Sequence, residues 1–200
     1  LHTAKFTDQF VERAQKTGGR WTMDPKRDLV FGHEFCCEVV EHGPGTDKTL
    51  KPGTRVVSMP LTVDGTTVQG IGYNNDIPGG FGQFMPLAER MLLPVPNGLS
   101  AEKAALTEPI AVGWHAVQMA RLGADDVPMV VGCGPVGLSV IAALKVKGVR
   151  PIIAADYSPG RRKLAEAMGA DIVIDPARHS PYEIWNQQAT PAGYDGSRYA

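Results

Sequence analysis

Cysteine is scarce in this sequence of 200 residues, which contains only Cys36, Cys37 and Cys133. Three thiols cannot build the disulfide framework of a small secreted domain, nor a four-cysteine zinc site. Cys36 and Cys37 are adjacent, so on a strand they would point to opposite faces of a sheet. We interpret them as small strand residues. This cysteine usage favours a reducing, cytoplasmic setting.

Long apolar runs and an excess of either charge are also missing. No run approaches the roughly 20 residues needed to span a bilayer, and no signal peptide is visible. The net charge is −1 and the isoelectric point is near 6.6, so neither nucleic acid nor an anionic membrane is an expected partner. A hydrophobic fraction of 43% and a charged fraction of 20% describe an ordinary globular protein of one large domain or two small ones.

What the sequence does contain is a glycine-rich turn, G-C-G-P-V-G, between two apolar runs. In the pattern G-x-G-x-x-G, Gly132 permits a tight turn off a strand and Gly134 lets the backbone approach a pyrophosphate. Gly137 lets the next helix pack closely on the strand. That helix opens at Pro135 and Val136, and the free N–H groups of its first turn, together with the positive dipole end, favour phosphate.

The surroundings of this turn decide whether it has chemical meaning. A β-branched apolar run precedes the turn, a helical pattern follows over 136–146, and a second apolar run over 151–155 ends in Asp156. This carboxylate has the spacing of an acid that binds the cofactor ribose. The alternative is that Asp156 merely ends a strand. Because strand, glycines, helix, strand and acid occur in order, the sequence predicts a dinucleotide-binding unit.

The two halves of the chain differ in their patterns. Up to about residue 98, short predicted strands, among them the second half of 29–43 and a glycine-led strand over 79–85, alternate with turns, which is typical of a small β-barrel. A helix is predicted to begin at Pro109, and beyond it strands alternate with helices, as in a parallel sheet. We therefore predict a β domain over 1–109 and an α/β domain over 110–200.

Six segments together resemble the medium-chain dehydrogenase/reductase superfamily, and within it the zinc-dependent alcohol and polyol dehydrogenase branch. They run in the family's order: G-H-E at 32–34 with E-V-V at 38–40, K-P-G-T-R-V at 51–56, G-F-G-Q-F at 80–84, V-P-N-G-L-S at 95–100, A-A-L-T-E-P at 104–109, and the glycine turn. The resemblance implies a GroES-like β-barrel catalytic domain followed by a partial Rossmann domain, whose sheet is doubly wound and parallel.

The same resemblance implies one catalytic zinc ion. The family holds it with a cysteine, the histidine of G-H-E, and a cysteine or acid at the domain junction, which assigns His33 and Glu108 as ligands. Glu34 would be an exchangeable ligand or a neighbouring acid, and His2 matches a surface histidine that ends a proton relay. From the residues alone, a hydrogen-bonded histidine at a strand start is the better interpretation of His33. Glu108 also fits an acid at a helix start, and His2 fits a mobile terminal residue better than a relay residue.

The sequence departs from the family pattern in two respects. The family's cysteine ligand lies in a C-G-x-D-x-H segment, of which only the end matches, at Leu1 and His2. Only three Rossmann strands are visible, so we expect an internal piece of a longer enzyme, with incomplete metal and cofactor sites and no activity on its own. Many relatives carry a structural zinc lobe where this sequence has residues 61–78. No cysteine occurs there, so we expect a loop with at most one hairpin and no structural zinc.

The choice between NAD and NADP depends on three charged residues. Asp156 accepting both ribose hydroxyls favours NAD, since a 2′-phosphate would meet a like charge. Arg161 and Arg162 leave room for another interpretation, because either could bind a 2′-phosphate, contact the ribose edge, or be solvated. We assign Arg161 to the cofactor site.

The sequence thus predicts a zinc-dependent oxidoreductase that transfers a hydride between the CH–OH group of an alcohol or polyol and NAD. Its partners would be a small-molecule alcohol and, in the complete enzyme, further copies in a dimer or tetramer. One alternative is a zinc-free, NADPH-dependent quinone or enoyl reductase, against which His33 and Glu108 together argue. The other is a non-catalytic dinucleotide-binding fragment. A C-G-x-D segment before Leu1 in the parent chain would favour zinc catalysis.

Overall fold

The computed structural model describes residues 9, 12, 13, 16, 23, 24, 26–64 and 67–189. The chain divides into two compact units, Leu1–Glu108 and Pro109–Ala200. Within the described part of the chain, no helix combines the length and the apolar character needed to cross a membrane.

The first unit contains an antiparallel sheet with the strand order β1–β2–β5. These strands are β1 (Cys37–Glu38), β2 (Arg55–Ser58) and β5 (Leu92–Pro94), and β5 follows a short 3₁₀ helix at Glu89–Met91. Val56 of β2 lies opposite Cys37 on one side and Pro94 on the other. Val56 is almost fully buried, so in this register its β-branched side chain faces the interior of the unit. A separate antiparallel hairpin joins β3 (Leu61–Asp64) to β4 (Thr67–Gly70).

The described strands form an open sheet and a hairpin instead of the closed barrel that the sequence predicts. A barrel needs enough strands of matched length for the sheet to curl onto itself, whereas the three strands of this sheet are two to four residues long. The segment 79–85 was a predicted strand and is not one. Its N–H groups at 79–81 donate to the carbonyls of Val30, Gly32 and Phe31, and Gly82 N–H closes a turn onto Gly79.

Two helices follow β5. The first is α1 (Ala101–Ala104) and the second is α2 (Thr107–Ala120), which begins in the first unit and continues into the second. Pro109 therefore occupies the third position of α2 and not the predicted first. The N–H groups of the first helical turn have no intrahelical partner, so a proline costs no hydrogen bond there. The side chain of Thr107 donates to the carbonyl of Ala104 at 2.7 Å and ties the two helices together.

The second unit alternates strands with helices. Its elements are β6 (Met129–Val131), α3 (Pro135–Val146), β7 (Ile153–Ala155), α4 (Pro159–Met168), β8 (Ile172–Ile174) and α5 (Pro181–Ala189). The strands pair in parallel in the order β6–β7–β8, with Ala154 between Val130 and Val173. This is the predicted strand–helix–strand arrangement.

Both faces of this parallel sheet are covered. All three residues of β7 are buried. Ala154 packs in a cluster with Ile141 and Leu144 of α3, whereas Ile153 and Ala155 belong to a second cluster that Trp185 of α5 packs against. Helices on opposite faces of a parallel sheet define a doubly wound arrangement, in which the carboxyl ends of β6 and β7 lie side by side.

Candidate functional site

Three metal-binding side chains come together in the first unit. His33 and Glu34 precede β1, and Glu108 lies in the first turn of α2. Each residue offers one ligand atom, an imidazole nitrogen or a carboxylate oxygen, and these three atoms all lie within 4.8 Å of one another. His33 and Glu108 are partly buried, whereas Glu34 is exposed. The fold thus brings together residues separated by more than 70 positions in the sequence.

The backbone beside His33 is held by the loop that follows the β3–β4 hairpin. Gly80 N–H donates to the carbonyl of Gly32 at 2.8 Å, and Phe81 N–H donates to that of Phe31 at 2.9 Å. Two residues after His33, Phe35 is buried against Ile71 and Ile77. These contacts fix the chain on both sides of His33 and Glu34.

The donor set suits a zinc ion. Imidazole nitrogen and carboxylate oxygen bind zinc at about 2.0–2.2 Å, so two atoms on one ion lie at most about 4.4 Å apart. The limit of 4.8 Å for the three donors exceeds this by a few tenths of an ångström, within reach of small side-chain rotations. Two carboxylates side by side also repel each other unless a cation lies between them. His33, Glu34 and Glu108 therefore fit a metal ion.

The neighbouring cysteines are not part of this cluster. Burial raises the pKa of the Cys36 thiol, and burial likewise raises that of Cys37, with a smaller contribution from Cys36. Both thiols are therefore protonated at neutral pH when no metal ion is bound. All three cysteines are unpaired. The predicted relay residue His2 lies outside the described residues.

In the second unit, the glycine turn leads from β6 into α3. Gly132 has φ = +93°, a left-handed conformation that side chains disfavour and that makes the tight turn possible. A Cβ on Gly137 would overlap the carbonyl oxygen of Gly132, so only glycine lets α3 approach this closely. A Cβ on Gly134 would meet no protein atom within 4 Å. Open space therefore lies beside Gly134, next to the N-terminus of α3, where Pro135 and Val136 begin the helix.

Asp156 follows β7 and braces the glycine turn. It is only 8% exposed, and its two carboxylate oxygens accept hydrogen bonds from Ser158 N–H at 2.7 Å and Cys133 N–H at 2.8 Å. The Ser158 N–H is the main cause of a lowered Asp156 pKa, with Cys133 N–H, Arg161 and Arg162 adding to it against the opposing effect of burial. The group is therefore ionised at neutral pH. The bond to Cys133 was missed by sequence reasoning, because no local pattern signals it.

The two arginines of α4 differ in their surroundings. Arg162 is mostly buried: it pairs with Asp175 at 3.0 Å and donates to the carbonyls of Asp156 and Tyr157. Its charge and donors are thus engaged within the protein. Arg161 is more exposed and lies 3.8 Å from the Asp156 carboxylate. Of the two, Arg161 has the freedom to contact a ligand at this edge of the sheet.

The first unit thus contains a histidine–carboxylate cluster, and the second contains a parallel sheet with a glycine turn. Residues 5–97 match the alcohol dehydrogenase GroES-like domain, and residues 135–197 match the zinc-binding dehydrogenase family. The chain belongs to the medium-chain dehydrogenase/reductase superfamily, in its zinc-dependent alcohol and polyol dehydrogenase branch.

Individual relatives agree with this membership. (R,R)-butanediol dehydrogenase of Bacillus subtilis (strain 168) is 38% identical over 177 residues, which are 84% of this chain and 50% of the relative. The crystal structure of 2R,3R-butanediol dehydrogenase from Bacillus subtilis covers 79% of this chain and 48% of its own, with a TM-score of 0.68 and 38% identity. The chain thus spans about half the length of the relatives it matches.

Two further matches bear on substrate and cofactor. A probable diacetyl reductase ((R)-acetoin forming) of Saccharomyces cerevisiae is 33% identical over 197 residues, covering 85% of this chain and 47% of that relative. A putative zinc-binding dehydrogenase from Sinorhizobium meliloti 1021, whose structure has NADP bound, is 25% identical with a TM-score of 0.72 and covers 89% of this chain and 53% of its own.

Proposed function

We propose that this chain is part of a zinc-dependent dehydrogenase that transfers a hydride between an alcohol or polyol CH–OH group and NAD. Residues 1–109 form the catalytic domain of this proposal, and residues 110–200 form the cofactor domain. The observation that carries the proposal is the convergence of His33, Glu34 and Glu108 in a chain that also contains the glycine turn. The same cluster argues against the zinc-free reductase alternative and against a non-catalytic role.

His33 and Glu108 would hold the metal, with Glu34 as an exchangeable third donor. A zinc ion there supplies a Lewis acid that lowers the pKa of an alcohol oxygen. The partly buried pair His33 and Glu108 would hold the ion from two distant parts of the chain, the segment before β1 and the first turn of α2. Glu34 is exposed, so its carboxylate is free to move toward the metal or to give way to substrate.

The cofactor would bind at the carboxyl edge of the parallel sheet. Open space beside Gly134 admits a pyrophosphate next to the free N–H groups of α3. The Asp156 carboxylate already accepts hydrogen bonds from two backbone N–H groups, and its remaining lone pairs would accept the ribose hydroxyls. Arg161 would contact the ribose edge. An ionised Asp156 repels a 2′-phosphate, which supports NAD, and the internal bonds of Arg162 remove one of the two cations that could offset that repulsion.

We propose a substrate with two adjacent oxygen-bearing carbons, such as a vicinal diol or its hydroxyketone. The support is that two relatives are a butanediol dehydrogenase and a probable acetoin-forming diacetyl reductase. The test is an oxidation assay of the complete enzyme that carries this chain, with (R,R)-butanediol and NAD, before and after zinc removal by a chelator. NADH formation that needs zinc supports the proposal. Metal-independent reduction of quinones or activated alkenes with NADPH would replace it with the zinc-free alternative.

Replacing Asp156 should change the choice of cofactor. Asp156→Gly removes two charge-assisted acceptors for the ribose hydroxyls and the repulsion of a 2′-phosphate, so we expect the NAD-to-NADP preference to fall by about 10- to 100-fold. Titration of both cofactors measures this ratio. Asp125→Gly, at an exposed turn, should leave the ratio unchanged. An unchanged ratio in Asp156→Gly would remove Asp156 from the ribose site.

The setting and assembly of the protein are further parts of the proposal. Three unpaired cysteines support a reducing, cytoplasmic setting. A dimer or tetramer is the assembly we expect for the complete enzyme, and light scattering on that enzyme would measure it.

A further inference from the structure

An aromatic ring packs directly against the imidazole of the metal cluster. The ring of Tyr73 lies with its centroid 5.2 Å from that of His33, at an interplanar angle of 39°. Tyr73 follows the β3–β4 hairpin and is partly buried. It lies forty residues away in sequence, so no local pattern around the G-H-E segment indicates this contact.

Close backbone packing brings the two rings together. A Cβ on Gly72 or on Gly79 would overlap the carbonyl oxygen of Gly32, and a Cβ on Gly32 would lie 2.9 Å from Phe81 N. The three glycines therefore let three stretches of backbone touch. The backbone of Gly72 lies against that of Gly32. His33 follows Gly32 and Tyr73 follows Gly72, so their side chains start from neighbouring positions.

The segment that carries Tyr73 is itself anchored on both sides. Ile71 is fully buried and Ile77 nearly so, and both pack with Phe35 in one cluster. An isolated antiparallel bridge joins Asn74 to Ile77. The Tyr73 ring therefore stands on a fixed backbone and restricts the rotation of the imidazole it touches.

We propose that Tyr73 is a positioning residue, which holds the His33 imidazole in the orientation that metal binding requires. The inference rests on the proposed zinc site. Residues that orient a metal ligand typically contribute 10- to 100-fold to metal affinity. The aromatic ring is the part that packs on His33, so removing the ring should weaken metal binding more than removing the phenol hydroxyl alone.

The test is metal affinity in Tyr73→Leu and Tyr73→Phe, measured by competition of Zn²⁺ with a chelator. We expect Tyr73→Leu to bind Zn²⁺ about tenfold or more weakly than the parent protein, and Tyr73→Phe, which keeps the ring, to bind Zn²⁺ more tightly than Tyr73→Leu. The absorption spectrum of bound Co²⁺ should change its band positions in Tyr73→Leu only, because a reoriented imidazole alters the ligand field. Tyr182→Leu, at an exposed tyrosine of α5, is the matched control.

The measurements distinguish a failure of the proposed zinc site from a failure of the role proposed for Tyr73. A parent protein that binds neither Zn²⁺ nor Co²⁺ would overturn the proposed zinc site itself. A parent protein that binds metal, with Tyr73→Leu equal to it in affinity and in Co²⁺ spectrum, would overturn only the role of Tyr73. If Tyr73→Leu does not fold, Tyr73→Met, which keeps a long apolar side chain without a ring, takes its place. Parent-like affinity and Co²⁺ spectrum in Tyr73→Met would overturn the role of the ring, whereas weaker binding than in Tyr73→Phe would uphold it.

Discussion

Replacing His33 with alanine is expected to abolish stable zinc binding and to lower turnover by about 1000-fold or more. His33 is the nitrogen donor of the cluster, and Glu34 and Glu108 cannot replace it without leaving the ion with carboxylates alone. A Lewis acid that stabilises the reacting oxygen by several kcal/mol accounts for about three orders of magnitude in rate. Elemental analysis and steady-state kinetics on the alcohol substrate measure the two effects.

The matched control for His33 is His115→Ala, because His115 is an exposed histidine on α2. That variant should keep its zinc and its rate. Thermal unfolding of both variants shows whether they fold, and NAD titration shows whether the second unit is intact. A His33→Ala protein that retains zinc and turnover would contradict the assignment of His33 as a ligand.

Replacing Gly137 with alanine is expected to destabilise the second unit and to weaken NAD binding by about 100-fold. The added Cβ would overlap the Gly132 carbonyl oxygen, a backbone atom that cannot rotate away. The helix α3 must then shift from β6 at a cost of about 1–3 kcal/mol, and the phosphate-facing N–H groups shift with it. At the upper limit that cost equals about 100-fold in affinity. Calorimetry and NAD titration provide the two measurements.

Gly134→Ala separates packing from ligand contact within the same turn. A Cβ on Gly134 has open space around it, and the residue has an ordinary extended conformation with φ = −75°. This variant should therefore unfold at the parent temperature yet bind NAD about tenfold or more weakly, because the methyl group fills the space proposed for pyrophosphate. Normal NAD binding in Gly134→Ala would place the pyrophosphate elsewhere.

The parallel-sheet unit was predictable because its signals are local. The turn G-C-G-P-V-G lies between apolar runs, and the sequence places β6, α3 and β7 within one continuous stretch of about 30 residues. The first unit was harder, because its backbone hydrogen bonds join distant segments. The segment 79–85 was predicted as a glycine-led strand, yet its N–H groups at 79–81 bond to residues 30–32. Its three glycines disfavour a strand, but nothing local indicates where its N–H groups go.

The candidate metal residues came from family resemblance more than from spacing. His33 and Glu108 have no local relationship, and only the folded chain shows that they meet. The contacts that support functional residues were not predictable at all. Tyr73 packs on His33 from forty residues away, and Arg162 turns inward to Asp175 while its neighbour Arg161 stays exposed. The sequence does not indicate which of two adjacent arginines on a helix forms an ion pair within the protein and which remains exposed.

The zinc content of the complete enzyme that carries this chain tests most directly whether His33, Glu34 and Glu108 form a zinc site. It is measured by elemental analysis after dialysis and paired with an NAD titration. We expect about one zinc ion per chain. The His33→Ala variant should lose this ion but still bind NAD. A protein that binds the nicotinamide cofactor normally but holds no zinc would contradict the zinc site, and activated alkenes and quinones would then replace alcohols as the substrates to test.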